Sequence, residues 1–393
     1  MLLYLLQCLY QLIGYLMGMV DYVVGLFGVA LSYCNAQGFR VKMGTQGYGD
    51  LSIPLNAQDE LLQNIQDKTY VKEHMRLDTK SMQWGKLFAF AGIRVFEATF
   101  ASPARAILPP ESHRGHFWYV QPLYRSSRVT VVVLPSTGEE HIVPRILLAW
   151  YWAFFHGYTS ILLTAPLYGC RKPAEQNLFF INTMADMIGQ LLALCQETVA
   201  VTAHTLQNDK DMRVVITGFS IGGGMSVFAA ALAAVSGCDK TRLGVVPYVG
   251  ATDPSCVVEG MFSALCDWQA LIADSPVDEA TLEQVQRKAV GILKNCIQNF
   301  DQLVQRLGPN EPCVQAATMV DMSHDQFFPS HAKKQLRQQV HAIAASVVET
   351  ELPGGHIAGA VLRPFSHARA VVQTVQTMRE MDQEDEGEKL KRY

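Results

Sequence analysis

The sequence contains no C-x-x-C pair, no internal repeat and no basic cluster interleaved with aromatic residues. Each absence removes a class of function. Without cysteine and histidine at metal-ligand spacing there is no zinc ribbon and no dithiol redox motif. The nine cysteines (Cys8, Cys34, Cys170, Cys195, Cys238, Cys256, Cys266, Cys296 and Cys313) are scattered and odd in number, so they make no disulfide framework and read as small core residues. A reducing compartment suits them, with a secretory protein carrying unpaired thiols as the alternative. With 32 basic against 36 acidic residues the net charge is -4, which gives no general attraction to nucleic acid. No metal or cofactor is called for.

Charge is also missing from the amino end. Met1 to Val20, "MLLYLLQCLYQLIGYLMGMV", carries none, and 20 residues at about 1.5 Å each reach roughly 30 Å, the thickness of a hydrocarbon core. Apolar residues continue past Asp21 to Cys34, and the first basic residues are Arg40 and Lys42. The basic n-region of a secretory signal is absent. Residues 1–34 are therefore expected to be a membrane-anchor segment, either spanning the bilayer or lying on it.

What is present begins with a linker and a charged helix at 35–82. From about Gln83 strand patterns alternate with helix patterns: "RVFEATFASP" and "HFWYVQPLY" as antiparallel strands, then "RVTVVVLP", "TSILLTAP", "RVVITGF" and "LGVVPYVG" with helices between them. That alternation predicts an α/β fold with a mostly parallel central sheet and helices on both faces. Residues 83–250 form its first part, 251–312 read as an inserted helical cap, 313–378 complete the core, and 379–393 form a charged tail.

One stretch carries chemistry. In "RVVITGFSIGGGMSVFAAALAA" the β-branched run Val214–Thr217 is followed by Gly218-Phe219-Ser220-Ile221-Gly222 and then by a small-residue helix. A single serine on a glycine-flanked turn between strand and helix is the sequence form of a nucleophile elbow. The spacing Gly218-x-x-x-Gly222-Gly223-Gly224 does not fit a dinucleotide loop. A serine hydroxyl needs a base, and the base needs an orienting acid, in the chain order serine, acid, histidine. Asp325 follows the strand "ATMVDM" and His356 follows the next strand in "ELPGGHIAG". Asp321 competes for the acid's place but falls inside its strand. The oxyanion of an acyl-transfer intermediate needs backbone N–H donors: Ile221 supplies one, and Thr137, in the loop after "VTVVVLP" with Gly138 beside it, supplies the other. His141 and Arg145 are placed to position loop or substrate.

Taken in order, "LPSTGEEH", "APLYGCRKPAEQ", "TGFSIGGGMS", "VDMSHDQFFP" and "LPGGHIAG" resemble the alpha/beta-hydrolase domain containing protein eighteen family over roughly residues 85 to 375. The "YGCRKP" hexapeptide at Tyr168 to Pro173 is the most specific of these. The resemblance implies an alpha/beta-hydrolase fold with Ser220, Asp325 and His356 as the triad, action on lipid esters such as membrane phospholipids, and association with mitochondrial or other internal membranes. On the loop at the same rim, Arg171 and Lys172 are expected to bind a phosphate headgroup. Two other readings use the same residues: a transacylase, and a silent scaffold that binds lipid or protein.

Overall fold

Runs of valine, isoleucine and leucine that are apolar on both sides need cover on both sides. The computed structural model, which describes residues 42–176, 181–259, 262–276, 280–305, 311–357, 359 and 363–391, supplies it. Among the described residues nine strands form one sheet: β1 (Gln83–Phe90), β2 (Ile93–Ala101), β3 (Arg114–Pro122), β4 (Val129–Leu134), β5 (Thr159–Thr164), β6 (Arg213–Phe219), β7 (Leu243–Tyr248), β8 (Val314–Met322) and β9 (Ala344–Leu352). Their order is β1-β2-β3-β5-β4-β6-β7-β8-β9. From β5 through β9 neighbours run parallel, whereas β1 to β3 form an antiparallel meander joined to β5.

Alternate residues face opposite ways, so each central strand feeds two cores. Val132, Leu134, Val214 and Ile216 pack beneath the helices Met184–Asn208 and Ile221–Val235. Val131, Val133 and Val215 pack on the other face with Trp152 and with Val371 of the final helix. Trp152 is fully buried, and its indole N–H donates to the Ala368 carbonyl at 3.0 Å.

Over the carboxyl ends of the parallel strands lie short helices at Cys256–Glu259, Phe262–Leu265 and Trp268–Ala273, and the long helix Leu282–Gln305. The start of the described chain holds this cap down. Met43 N–H donates to Leu265 O and Asp267 N–H to Met43 O, each at 2.8 Å, while Gly44 N–H donates to Ile181 O at 2.9 Å.

The structure departs from expectation in three places. An eight-residue edge strand, β1, precedes the two expected antiparallel strands; Gly85 and a bulge between Trp84 and Leu87 break its alternation. The helix expected between the strands "RVTVVVLP" and "TSILLTAP" is α-helical over Val143–Tyr151 and then widens into a π-turn at Trp152–His156. The charged stretch 379–393, expected as a tail, continues the last helix to Lys391. Asp382 anchors it, pairing with Arg213 and accepting from Gln315 Nε2 at 2.7 Å. The anchor expected at residues 1–34 lies outside the described residues; among those described, no helix is long and apolar enough to cross a membrane.

Candidate active site

β6 delivers the chain to Ser220, whose backbone sits at φ 59° and ψ -123°, a conformation that costs a non-glycine residue about 1–3 kcal/mol. Close packing holds it there. Ser220 N–H donates to Tyr248 O at 3.2 Å, and the flanking glycines let backbone meet backbone. A Cβ on Gly222 would lie 2.5 Å from the Pro135 carbonyl oxygen, and one on Gly218 would lie 2.5 Å from the Gly222 carbonyl carbon. The glycines thus press the β4 loop, the elbow and the helix behind it into contact.

The side chain so presented is 4% exposed, and Ser220 Oγ lies 2.8 Å from His356 Nε2. His356 Nδ1 lies 3.0 Å from Asp325 Oδ2. With the ring proton on Nδ1 donated to Asp325, Nε2 accepts the serine hydroxyl. The structure therefore brings Ser220, His356 and Asp325 into one hydrogen-bonded chain. The acid and histidine loops are laced together just before these residues, Ser323 N–H donating to Leu352 O and His324 N–H to Gly354 O, each at 2.9 Å. Phe219, Phe327 and Phe328 surround the imidazole with ring centroids 4.8–4.9 Å away.

Asp325 is buried, which alone would push its pKa up; the charge and hydrogen bond of His356, with N–H groups of Phe328 and Phe327 at 3.0 and 2.8 Å, outweigh burial and hold it below its ordinary value. Asp321, inside β8, is the opposite case. Burial pushes it up to about 6, with Asp325 and Glu351 adding repulsion against the pull of Lys333 and Arg337. Its Oδ1 is buried and finds no hydrogen-bond partner among the described residues. The carboxylate whose charged form is favoured faces the histidine.

Thr137 and Ile221 both contribute to the wall of a cavity of about 230 Å³. Phe328, in contact with His356, belongs to the same wall, which continues through Met184, Met187, Met225 and Leu232 and, from the cap, Trp268 and Leu293. The Thr137 loop is shaped from beneath by Arg145. This buried guanidinium gives Nε to Glu139 Oε1 at 2.5 Å and Nη1 to the carbonyls of Val133 and Leu163, while Glu139 Oε2 accepts from Ser136 N–H at 3.2 Å. Arg145 positions the loop.

Arg171, expected to bind a headgroup, is enclosed in the protein, and Lys172, expected to do the same, is paired with a neighbouring carboxylate. Arg171 is 1% exposed. It makes a bidentate pair with Glu197 at 2.6 and 2.8 Å and donates to the carbonyls of Thr164 and Ser112. Lys172 gives its ammonium to Glu140 at 2.9 Å. Both charges bind the loop to the sheet rim. The partner missed in the sequence is Glu197; the signal for it is a carboxylate set in the otherwise uncharged, buried middle of the Met184–Asn208 helix, where it must find a cation.

Glu197→Ala leaves the Arg171 charge buried without a carboxylate, and urea unfolding is expected to show a loss of about 3–5 kcal/mol, much of it regained in Arg171→Met/Glu197→Leu. For Asp321 the folded pKa lies above the unfolded one, so its ionisation costs the folded state stability as pH rises from about 4 to 6. Asp321→Asn is expected to match the parent in unfolding at pH 4 and to exceed it by about 2–3 kcal/mol at pH 8.

The chain is similar in structure to acetyl xylan esterase 1 from a Thermoanaerobacterium species, at 15% identity over 86% of this chain and 96% of that one with a TM-score of 0.49. An acetyl xylan esterase from a Paenibacillus species matches at 13% identity over 80% and 92%, TM-score 0.49. A cold-adapted esterase from an Arctic intertidal metagenomic library matches at 14% identity over 77% and 98%, TM-score 0.45. The family model described as alpha/beta hydrolase domain containing 18 matches residues 42–377, and the chain belongs to that family.

Proposed function

We propose that the protein is a membrane-associated serine hydrolase that deacylates lipid esters, phospholipids among them. The observation that carries this reading is the Ser220–His356–Asp325 hydrogen-bonded chain beside a cavity with an almost wholly apolar wall. Ser220 Oγ attacks the ester carbonyl as His356 Nε2 takes its proton. The oxyanion is met by the N–H groups of Ile221, at the positive end of its helix, and of Thr137. His356 returns the proton to the departing alcohol oxygen, leaving an acyl ester on Ser220. Water, activated by the same imidazole, then releases the fatty acid and regenerates the hydroxyl. Asp325 keeps Nδ1 protonated and offsets the imidazolium charge throughout.

The cavity supports a long acyl chain rather than an acetyl group. Methionine side chains from the Met184–Asn208 and Ile221–Val235 helices adapt to a flexible chain, and burial of each methylene is worth about 0.8 kcal/mol. Asp253 is the charged residue in that wall, which fits a fatty chain better than an anionic headgroup. The headgroup thus stays outside.

A fluorophosphonate probe should label the wild type on Ser220 and leave Ser220→Ala unlabelled; absence of labelling in folded wild-type protein would remove the serine mechanism. The acyl-site reading has its own test. Met225→Trp fills the cavity and is expected to lower kcat/KM at least tenfold on long-chain esters while leaving p-nitrophenyl acetate hydrolysis near the parent value. Equal losses on both would point to general damage and against the cavity as the acyl site.

A further inference from the structure

The surface carries one band of exposed aromatic residues that the catalytic reading does not use. On the helix running from Val143, Leu147 and Phe154 are 60% and 48% exposed. The π-turn at its end turns Phe155, 50% exposed, outward as well, while Trp152 and Ala153 stay in the core. Such turns recur at functional sites. Across the sheet edge, Phe88 and Phe90 of β1 share one face, are 41% and 45% exposed, and stack at 5.8 Å.

The two groups meet at the β1–β2 turn. Trp150 Nε1 donates to Ala91 O at 2.9 Å, and a Cβ on Gly92 would touch the rings of Phe154 and Tyr124 at 3.0 and 3.3 Å. Tyr124 is 84% exposed. At the far side Phe365, 57% exposed, packs against Tyr151 at 5.6 Å. A continuous apolar surface of this kind is uncommon on a soluble monomer.

Its border is positive although the chain as a whole is at -4. Arg125, Arg369 and Arg379 are exposed around it, and among the described residues none of them is in an ion pair. Arg125 and Arg379 converge on His156, where burial first and then their two charges hold the imidazole pKa down. Glu380, also exposed, is the acid next to Arg379. Indole, phenol and phenyl rings bordered by guanidinium groups match the interfacial zone of a bilayer whose phosphates are anionic.

We infer that the face formed by the β1–β2 hairpin, the 143–156 helix and Phe365 docks on an anionic bilayer, rings at the acyl boundary and Arg125, Arg369 and Arg379 on lipid phosphates. The inference deepens the proposed function, because this helix begins a few residues after Thr137, yet it stands on the surface and not on the ester chemistry.

The test is amide hydrogen exchange on the full chain in vesicles of phosphatidylcholine alone and of phosphatidylcholine with 30% phosphatidylglycerol, a composition chosen at about the anionic content that produces a strong surface potential. Peptides covering 83–92 and 143–156 should be protected in the anionic vesicles, less so in the neutral ones. Arg125→Glu/Arg379→Glu should cut that protection about tenfold in exchange rate without altering hydrolysis of a soluble short-chain ester. Equal exchange in both vesicle types and in the variant would overturn the inference, even with an active enzyme. Protection that grows with protein concentration without lipid would overturn it too, by assigning the face to a second copy of the chain. Loss of ester hydrolysis in the wild type, with protection intact, would strike the proposed function alone.

Discussion

The backbone of Ser220, held at positive φ between β6 and the helix behind it, is the constraint around which the site is arranged. An L-residue stays there only where its neighbours leave no alternative. Here the neighbours are backbone. Gly218, Gly222, Gly223 and Gly224 let the β4 loop, β7 and the Gly250–Ala251 segment close on the elbow where any Cβ would intrude. The same closeness that fixes the serine also fixes the loop bearing Thr137, since Pro135 O rests against Gly222. Ser220 and the loop bearing Thr137 therefore share one packing arrangement, and displacement of either would disturb both.

Buried charge does the rest of the positioning. Arg145 with Glu139 holds the loop after β4, and Arg171 with Glu197 holds the loop after β5. Glu140 accepts from Gly169 N–H and Lys172 at 2.9 Å each and so ties the two loops to one another. Such pairs add little net stability compared with apolar packing, but a broken one is costly, so they favour a single loop geometry. The charges at the rim serve the scaffold and stay out of the cavity wall, whose charged residue is Asp253.

Much of this was legible in the sequence because it rests on local signals. Strand alternation with helices gave the parallel half of the sheet, and the glycine-flanked Ser220 between a β-branched run and a small-residue helix gave the elbow. The order of Asp325 and His356 after successive strands put both at the same rim, where they lie. What was not legible depended on contacts distant in sequence. Arg171 looks like a free rim cation until Glu197, 26 residues on, reaches it from the Met184–Asn208 helix. β1 was hidden by Gly85 and a bulge that break period two. The carboxyl stretch reads as a solvated tail because nothing local shows that Asp382 meets Arg213, 169 residues away.

The account turns on an acyl group passing through Ser220. Rapid acid quench of the enzyme turning over a long-chain p-nitrophenyl ester, followed by peptide mass analysis, reads this directly. An acyl adduct on the peptide containing Ser220, absent from Ser220→Ala, is the predicted result. Turnover by wild-type protein with no adduct, or with the acyl group on another residue, would contradict it.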